Sequence, residues 1–291
     1  CSGAGSGFGM IVIQRTVSRM ATSASMRVQA FSWIALAPSA AGLLGPLLGG
    51  SLIDIYGYRY AFAALGCLPL ITLLASQWVP HQPASEVKVP NASRPERIRD
   101  LLVDIPMRRL LFIDWVVVAS WDVHGFVVPI LGHERGFSAT AVGAIFAAFG
   151  AASIIVRLII PMISKHLSSR MLMTGSVVLA AVAFAIYPLL QSVWAMAMCA
   201  FAFGLALGSV QPAILTTLHD VTPDNRHGEA LALRSTFSQS SMLVMPLVFG
   251  AIGTAVGSGF LLWMMAGFLG AGSWQVRRLF GALESPRIPR V

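Results

Sequence analysis

Long apolar stretches separated by short polar ones repeat along almost the whole chain. Each stretch is about 20 residues long, and an α-helix of that length crosses the roughly 30 Å of hydrocarbon in a membrane. A helix is needed there because lipid offers no hydrogen-bond partners to an open backbone. The stretches predicted to span the membrane are 1–14, 29–53, 60–79, 110–132, 138–163, 171–190, 193–218, 231–253 and 256–276.

The composition agrees with this pattern. Hydrophobic residues make up 56% of the chain and charged residues only 11%, whereas a soluble domain carries about 25% charged residues. The sequence therefore predicts an all-α polytopic membrane protein with about nine transmembrane helices, surrounded by lipid. The net charge of +8 does not indicate a nucleic-acid partner, because the basic residues lie in short gaps rather than on one face.

The longest polar stretch, residues 80–109, divides the chain into three predicted spans before it and six after it. It contains an amphipathic piece, residues 95–105, which we expect to lie at the membrane surface. We therefore predict a partial amino-terminal half (1–79), a central loop (80–109), a carboxyl-terminal half (110–276) and a tail (277–291).

The positions of Lys and Arg predict the orientation. If the 80–109 loop is cytoplasmic and the spans alternate, then of the 20 Lys and Arg residues only Arg59 and Arg135 lie outside. Positive charge collects on the cytoplasmic side of membrane proteins. The carboxyl terminus is therefore predicted to be cytoplasmic.

One segment carries a family resemblance. The run "GLLGPLLGGSLIDIYGYRYAF", residues 42–62, resembles the fifth-helix signature of the major facilitator superfamily (MFS), a G-x-x-G-P-x-x-G-G run followed by a G-W/Y-R turn. The signature residues here are Gly42, Gly45, Pro46, Gly49 and Gly50, and those of the turn after it are Asp54, Gly57 and Arg59. Residues 3–9 are similar to the fourth helix of that family, and residues 204–236 to its tenth helix, the following loop and the start of the eleventh.

The resemblance implies an MFS-type fold that retains helices 4–12 of 12 and is truncated at the amino terminus. It implies a secondary transporter in the bacterial inner membrane that works by alternating access and is monomeric when complete. The fifth-helix signature is associated with exporters, which favours proton-coupled efflux of a small molecule. Uptake of a metabolite and a transport-inactive sensor or scaffold are the alternatives, and the 291-residue chain by itself is expected not to transport.

The glycines of the signature predict close helix packing, because small residues let two backbones approach in lipid. Gly45 and Gly49 form a G-x-x-x-G step, and Gly42 falls on nearly the same face as Gly49. Pro46 is expected to bend the helix where neighbouring helices satisfy the freed carbonyl.

Two ionisable residues lie near the centre of the 110–132 span. Asp122 falls about at the bilayer midplane, where transporter sites lie and where burial favours the protonated form of a carboxylate. It is therefore a candidate for proton coupling or cation recognition, and a hydrogen bond to a neighbouring helix is the alternative. His124 lies about 200° from Asp122 around a helix, so a structural role is expected for it.

Other polar residues at membrane depth are candidates for the site or for helix packing. Asp114 and Arg157 lie at the same predicted depth, so they could form a salt bridge or gate, or Arg157 could extend to the interface. Gln211 and Gln239 could line the cavity or bond another helix. Trp121 could stack on a ligand or serve only in packing.

Enzyme signatures are absent from the sequence. It contains no G-x-S-x-G, H-E-x-x-H or Walker A motif. Cys1, Cys67 and Cys199 show no metal-ligand spacing. We therefore predict no catalytic residue, no metal and no cofactor.

Overall fold

The computed structural model describes residues 24–77, 98–163, 168–223 and 226–284. These ranges are helical apart from short turns, and no β-strand occurs in them. The helices are α1 (Ala24–Gly66), α2 (Leu68–Ser76), α3 (Ile98–Val103), α4 (Ile105–Glu134), α5 (Ala139–Ile163), α6 (Ser169–Ile186), α7 (Val193–Val221), α8 (His227–Val256) and α9 (Ser258–Glu284).

Five segments of the described ranges are long and apolar enough to cross a membrane: Ala40–Leu74, Ile105–Glu134, Ala139–Ile160, Ser169–Leu189 and Val193–Val221. The all-α membrane fold is therefore confirmed, but the count of nine spans is not established. Helices α8 and α9 are also long, with 30 and 27 residues, but they are not among these five apolar segments. The predicted span 1–14 and the fourth-helix likeness at 3–9 lie outside the described residues, as does most of the central loop.

The helix ends differ from the predicted ones for local reasons. The predicted spans 29–53 and 60–79 are separated by a break at Gly57, the residue of α1 that leaves the helical conformation, with φ 76° and ψ 167°. Glycine tolerates this positive φ because it has no Cβ. Helix α4 begins before 110 because the Asp104 side chain accepts a hydrogen bond from Met107 N at 3.2 Å, and Pro106 suits the first turn.

Helix α5 lies between α1 and α7 and packs closely on both. From α7 the contacts continue through α6 and α9 to α4, and α4 also packs against α8. The buried side chains between these helices are mainly aliphatic and aromatic, including Tyr187, Phe184 and Phe203. Such packing, rather than exclusion of water, holds helices together in lipid.

The seam between α1 and α5 brings two backbones into direct contact. A Cβ at Gly50 would collide with the carbonyl of Ala139, and one at Gly143 would collide with the carbonyl of Pro46. At Gly150 a Cβ would lie 3.0 Å from the Gly42 oxygen. The fifth-helix signature therefore makes a close contact, as its glycines predict.

The face that makes this contact differs from the expected G-x-x-x-G step. The contact is made by Gly42, Pro46 and Gly50. These residues are four apart and lie on one face, because α1 keeps helical dihedral angles through Pro46. Among the described residues, a Cβ at Gly45 would meet nothing within 4 Å, and one at Gly49 would reach only Leu65 at 3.9 Å.

Candidate functional site

A cavity of about 270 Å³ lies between α1, α4 and α5. Helix α1 contributes Gly42 and Pro46, so the cavity continues directly from the glycine seam. Its other walls are mostly aromatic, and Arg157 on α5 adds a positive charge. The main side chains that line it are Trp121, His124, Phe146, Phe149, Ser153 and Arg157.

Trp121 forms part of the α4 wall of the cavity. Its side chain is 45% exposed, and its ring packs edge-on against Phe149 with the centroids 4.8 Å apart. Ser153 completes the α5 wall, but its hydroxyl donates to the carbonyls of Phe149 and Gly204 at 3.0 and 3.3 Å. Trp121 therefore both packs on a neighbouring helix and presents ring surface to the cavity.

His124 lies on the buried side of the same wall. Its ring stacks on Phe149 at 4.9 Å and lies 5.0 Å from Phe203, and its Nε2 shares a hydrogen bond of 3.3 Å with the Tyr187 hydroxyl. It is 2% exposed. These contacts fit the structural role expected for it.

Asp122 faces a different helix from His124, as their angular separation predicts. Its carboxylate is half-buried and accepts a hydrogen bond of 2.6 Å from the Ser241 hydroxyl on α8. The residue next to it, Trp121, faces the cavity. At one level along its axis, helix α4 therefore presents the ring of Trp121 to α5 and the carboxylate of Asp122 to α8.

The structure gives Asp114 a different partner from the one expected. Its Oδ1 accepts a hydrogen bond of 3.0 Å from Arg234 Nε and lies 2.9 Å from Arg234 Nη2. The buried ion pair is therefore with Arg234, whereas Arg157 lines the cavity. The expectation failed because α4 packs closely against α8 and makes few contacts with α5, and equal depth in the membrane does not determine which helices are neighbours.

The two glutamines differ in their surroundings. Gln211 Oε1 accepts a hydrogen bond of 2.8 Å from Arg234 Nη2, so this side chain bonds another helix. Gln239 is exposed on α8. Neither of them lines the cavity between α1, α4 and α5.

A row of polar contacts along α4 and α8 was not predicted from the sequence. Ser238 donates to Asp114 Oδ2, Trp115 Nε1 donates to Ser240 at 3.1 Å, and Ser241 donates to Asp122. The signal for it was present in the run "RSTFSQSS", residues 234–241, which is unusually polar for a membrane helix. Polar groups at membrane depth pair with one another.

Asp54 connects α1 to the start of α5. Its Oδ1 accepts from Ala139 N at 3.0 Å and its Oδ2 from Thr140 N at 2.7 Å. The carboxylate thus satisfies two of the backbone donors that the first turn of any helix leaves unpaired. Gly57 then breaks α1, and Arg59 is exposed just beyond the break.

The part of the chain that the structure describes contains no group of three His, Cys, Asp or Glu residues placed to hold a metal ion. A family model described as Major Facilitator Superfamily matches residues 1–120 and residues 110–290. The two matches together cover almost all of the sequence.

Proposed function

The chain belongs to the Major Facilitator Superfamily, and on that premise we propose that it exports a small molecule in exchange for protons. Membership of the family makes it a membrane transporter. The direction of transport and the coupling to protons are the proposed part.

The observation that carries the proposal is the position of Asp122. Its half-buried carboxylate is next in sequence to Trp121, which lines the cavity, and its bond to Ser241 joins α4 to α8. An ionised carboxylate only accepts hydrogen bonds, whereas a protonated one also donates. Protonation therefore changes a contact between two helices beside the cavity, which is what a proton-coupled carrier requires.

The seam between α1 and α5 supports export. We assign α1 to the amino-terminal half (1–79) and α5 to the carboxyl-terminal half (110–276), so the seam and the Asp54 cap join the two halves. In the proposed orientation, with the carboxyl terminus in the cytoplasm of a bacterial inner membrane, Asp54 lies near the outer surface. A close contact there limits leakage past the cavity while the carrier is open to the inside.

The proposal is tested with inverted membrane vesicles that contain the complete protein and have been acidified inside by a proton pump. Compounds are added one at a time, and proton release from the vesicles is followed with a pH-sensitive dye. We expect at least one compound to trigger release, and Asp122→Asn to abolish it because the amide cannot carry a proton. Asp220→Asn is the control, since Asp220 is an exposed carboxylate near the end of α7.

Release that persists in Asp122→Asn at the wild-type rate would remove Asp122 as the proton carrier. If no compound triggers proton release, but a proton gradient of the opposite direction drives uptake of a compound, then the protein is an importer and the proposal of export is wrong. Absence of any flux would favour a sensor or scaffold.

A further inference from the structure

We propose that a groove between α6 and α9 binds a phospholipid with an anionic headgroup, such as phosphatidylglycerol. The headgroup lies in an open pocket at one end of the groove, and an acyl chain follows the groove into the membrane. The inference adds a lipid partner and does not depend on the direction of transport or on its coupling to protons.

An open pocket of about 500 Å³ lies between the first turns of α6 and the last turns of α9. Its lining residues are Arg170, Met171, Thr174, Gly175 and Arg277. Arg170 directly precedes the apolar stretch 171–190, and Arg277 directly follows the stretch 256–276. The pocket therefore lies at the level where the hydrocarbon ends and the lipid headgroups begin.

Arg277 supplies the charge that meets the headgroup. Its side chain is exposed, and it makes no hydrogen bond or ion pair with the part of the chain that the structure describes. Arg170 has an interaction of its own in the protein, so the contact is assigned to Arg277 alone. A guanidinium binds two phosphate oxygens through paired, charge-assisted hydrogen bonds, and the Thr174 hydroxyl in the same pocket is a further donor.

The surroundings of Arg277 favour an anion. Arg278 follows it, with its guanidinium carbon 3.7 Å from the centre of the Trp274 ring, and Arg109 Nη1 on α4 donates to the Arg278 carbonyl at 2.8 Å. No acidic residue lines the pocket among the residues that the structure describes. Basic pockets between membrane helices bind anionic headgroups, whereas the positive group of a zwitterionic headgroup would meet these arginines.

One stripe of α9 runs from the pocket along the groove. Trp263, Gly270 and Arg277 are seven residues apart, so they lie within about 40° of one another around the helix. Both ends of this stripe border α6, because Arg277 shares the pocket with it and the Trp263 indole N–H donates to the Ala185 carbonyl at 3.0 Å. A Cβ at Gly270 would meet no atom within 4 Å in the described structure, so the space between the two ends is open.

The facing stripe of α6 is apolar beyond the pocket. Thr174 lines the pocket and Ala185 accepts the bond from α9, so the residues at helical spacing between them, Val178 and Ala181, border the same space. Val178 is 40% exposed. The small side chain of Ala181 and the absence of one at Gly270 keep the groove open.

The groove is long enough for an acyl chain. From Arg277 to Trp263 it extends about 21 Å, at 1.5 Å per residue, whereas one leaflet contributes only about half of the roughly 30 Å of hydrocarbon. A charged pocket joined to an apolar groove distinguishes a lipid from a soluble anion. A free phosphate ester contacts only the pocket, but a phospholipid also packs its chain against the two helices.

The test uses the complete protein, purified in a neutral detergent and freed of bound lipid. Phosphatidylglycerol and phosphatidylcholine with identical chains are titrated separately, and native mass spectrometry measures the dissociation constant of the first bound lipid. We expect phosphatidylglycerol to bind roughly fivefold more tightly or better, since one basic residue near an anionic headgroup contributes about that factor. Glycerophosphoglycerol, the same headgroup without chains, should not displace it at equal concentration.

Substitutions of Arg277 locate the effect in the pocket. We expect Arg277→Gln to weaken phosphatidylglycerol binding by roughly tenfold or more and to remove most of the preference over phosphatidylcholine. Arg277→Lys keeps the charge and should retain most of that preference. Arg108→Gln removes the same charge from an exposed position on α4 and should bind both lipids like wild type.

Gly270→Leu tests the groove. The new side chain enters the open space beside Gly270 and should weaken the binding of both lipids, because it occupies the place of the acyl chain. In detergent without lipid, each variant should unfold at the wild-type temperature, which separates loss of the site from misfolding. Unchanged binding in Gly270→Leu would remove the groove from the site.

Equal affinity for the two lipids, no measurable binding of phosphatidylglycerol, unchanged affinity in Arg277→Gln, or an equal loss in Arg108→Gln would each overturn the inference. Displacement by glycerophosphoglycerol at equal concentration would replace the lipid by a soluble phosphate ester. None of these results bears on proton-coupled export, which has its own test. A lipid preference that is lost in Arg277→Gln would likewise stand if no compound triggered proton release.

Discussion

Asp114 is buried on α4 and is paired with Arg234 on α8. Ser238 and Gln211 complete the hydrogen bonding of the two charged groups. Removing a charge from water is costly, and a nearby opposite charge with good hydrogen bonds offsets that cost. The pair therefore holds α4, α7 and α8 together only while both members are present.

We expect Arg234→Ala and Asp114→Ala each to destabilise the protein by about 3–5 kcal/mol, because each leaves one buried charge without its partner. The double variant Asp114→Asn/Arg234→Gln, which removes both charges, should be clearly more stable than either single one. The relative stability of the variants is measured by heating each one in detergent and recording the loss of monodisperse protein with temperature. Arg277→Ala is the control, and equal loss in the single and double variants would contradict the coupling.

The seam between α1 and α5 depends on the lack of side chains at particular positions on both helices. Gly143 lies against the backbone of Pro46, and Gly50 against that of Ala139. Asp54 caps the first turn of α5 close to this contact. Backbone contact and the cap together fix the position of α5, which also carries Phe149 and Arg157 of the cavity.

We expect Gly143→Ala to destabilise the protein by about 1–3 kcal/mol, the usual cost of overpacking a tight contact. Gly175→Ala on α6 is the matched control, because a Cβ added at Gly175 would meet no neighbouring atom within 4 Å in the described structure. It should be neutral or slightly stabilising, because alanine favours a helix over glycine by about 1 kcal/mol. Thermal unfolding of both variants, with transport measured beside it, checks the prediction. A similar change in stability in Gly143→Ala and Gly175→Ala would show that the seam is not closely packed.

Element-level features were largely predictable from the sequence. Apolar length predicted α4 to α8 to within about five residues at each end, since a membrane helix must be long and internally bonded, but α9 continues to Glu284, past the predicted end at 276. Two of the differences arose where a helix extends beyond its apolar stretch: Asp104 caps α4 before residue 110, and α8 begins at His227 rather than at residue 231. Hydropathy does not detect such extensions, because it responds to apolar side chains rather than to backbone bonding.

The site was predictable only in part. Helical angles correctly separated Asp122 from His124, because both lie on one helix. The partners of Asp114 and Gln211 depend on which helices are neighbours, and equal depth does not determine that. The cavity itself follows from how α1, α4 and α5 meet, so Phe146 and Phe149 could not be distinguished from ordinary packing residues by the sequence alone.

At the scale of the whole molecule, α5 is the common element. It contacts α1 on one side and α7 on the other, and its residues form most of one cavity wall. A movement of α1 relative to α5 would change the seam, the Asp54 cap and the cavity at the same time. Alternating access by relative movement of two halves requires a coupling of this kind.

The orientation of the whole molecule is the remaining prediction. Placing the carboxyl terminus in the cytoplasm leaves only Arg59 and Arg135, of 20 Lys and Arg residues, on the outside. His133, exposed near the end of α4, should then face outwards, and Asp220, exposed near the end of α7, should face inwards.

Each of these two residues is changed to cysteine in the complete protein freed of its other cysteines, and intact cells are treated with a membrane-impermeant maleimide. We expect His133→Cys to react in intact cells and Asp220→Cys only after the membrane is opened. The reverse pattern would invert the topology, place Asp54 on the cytoplasmic side and remove the seam as an outer barrier.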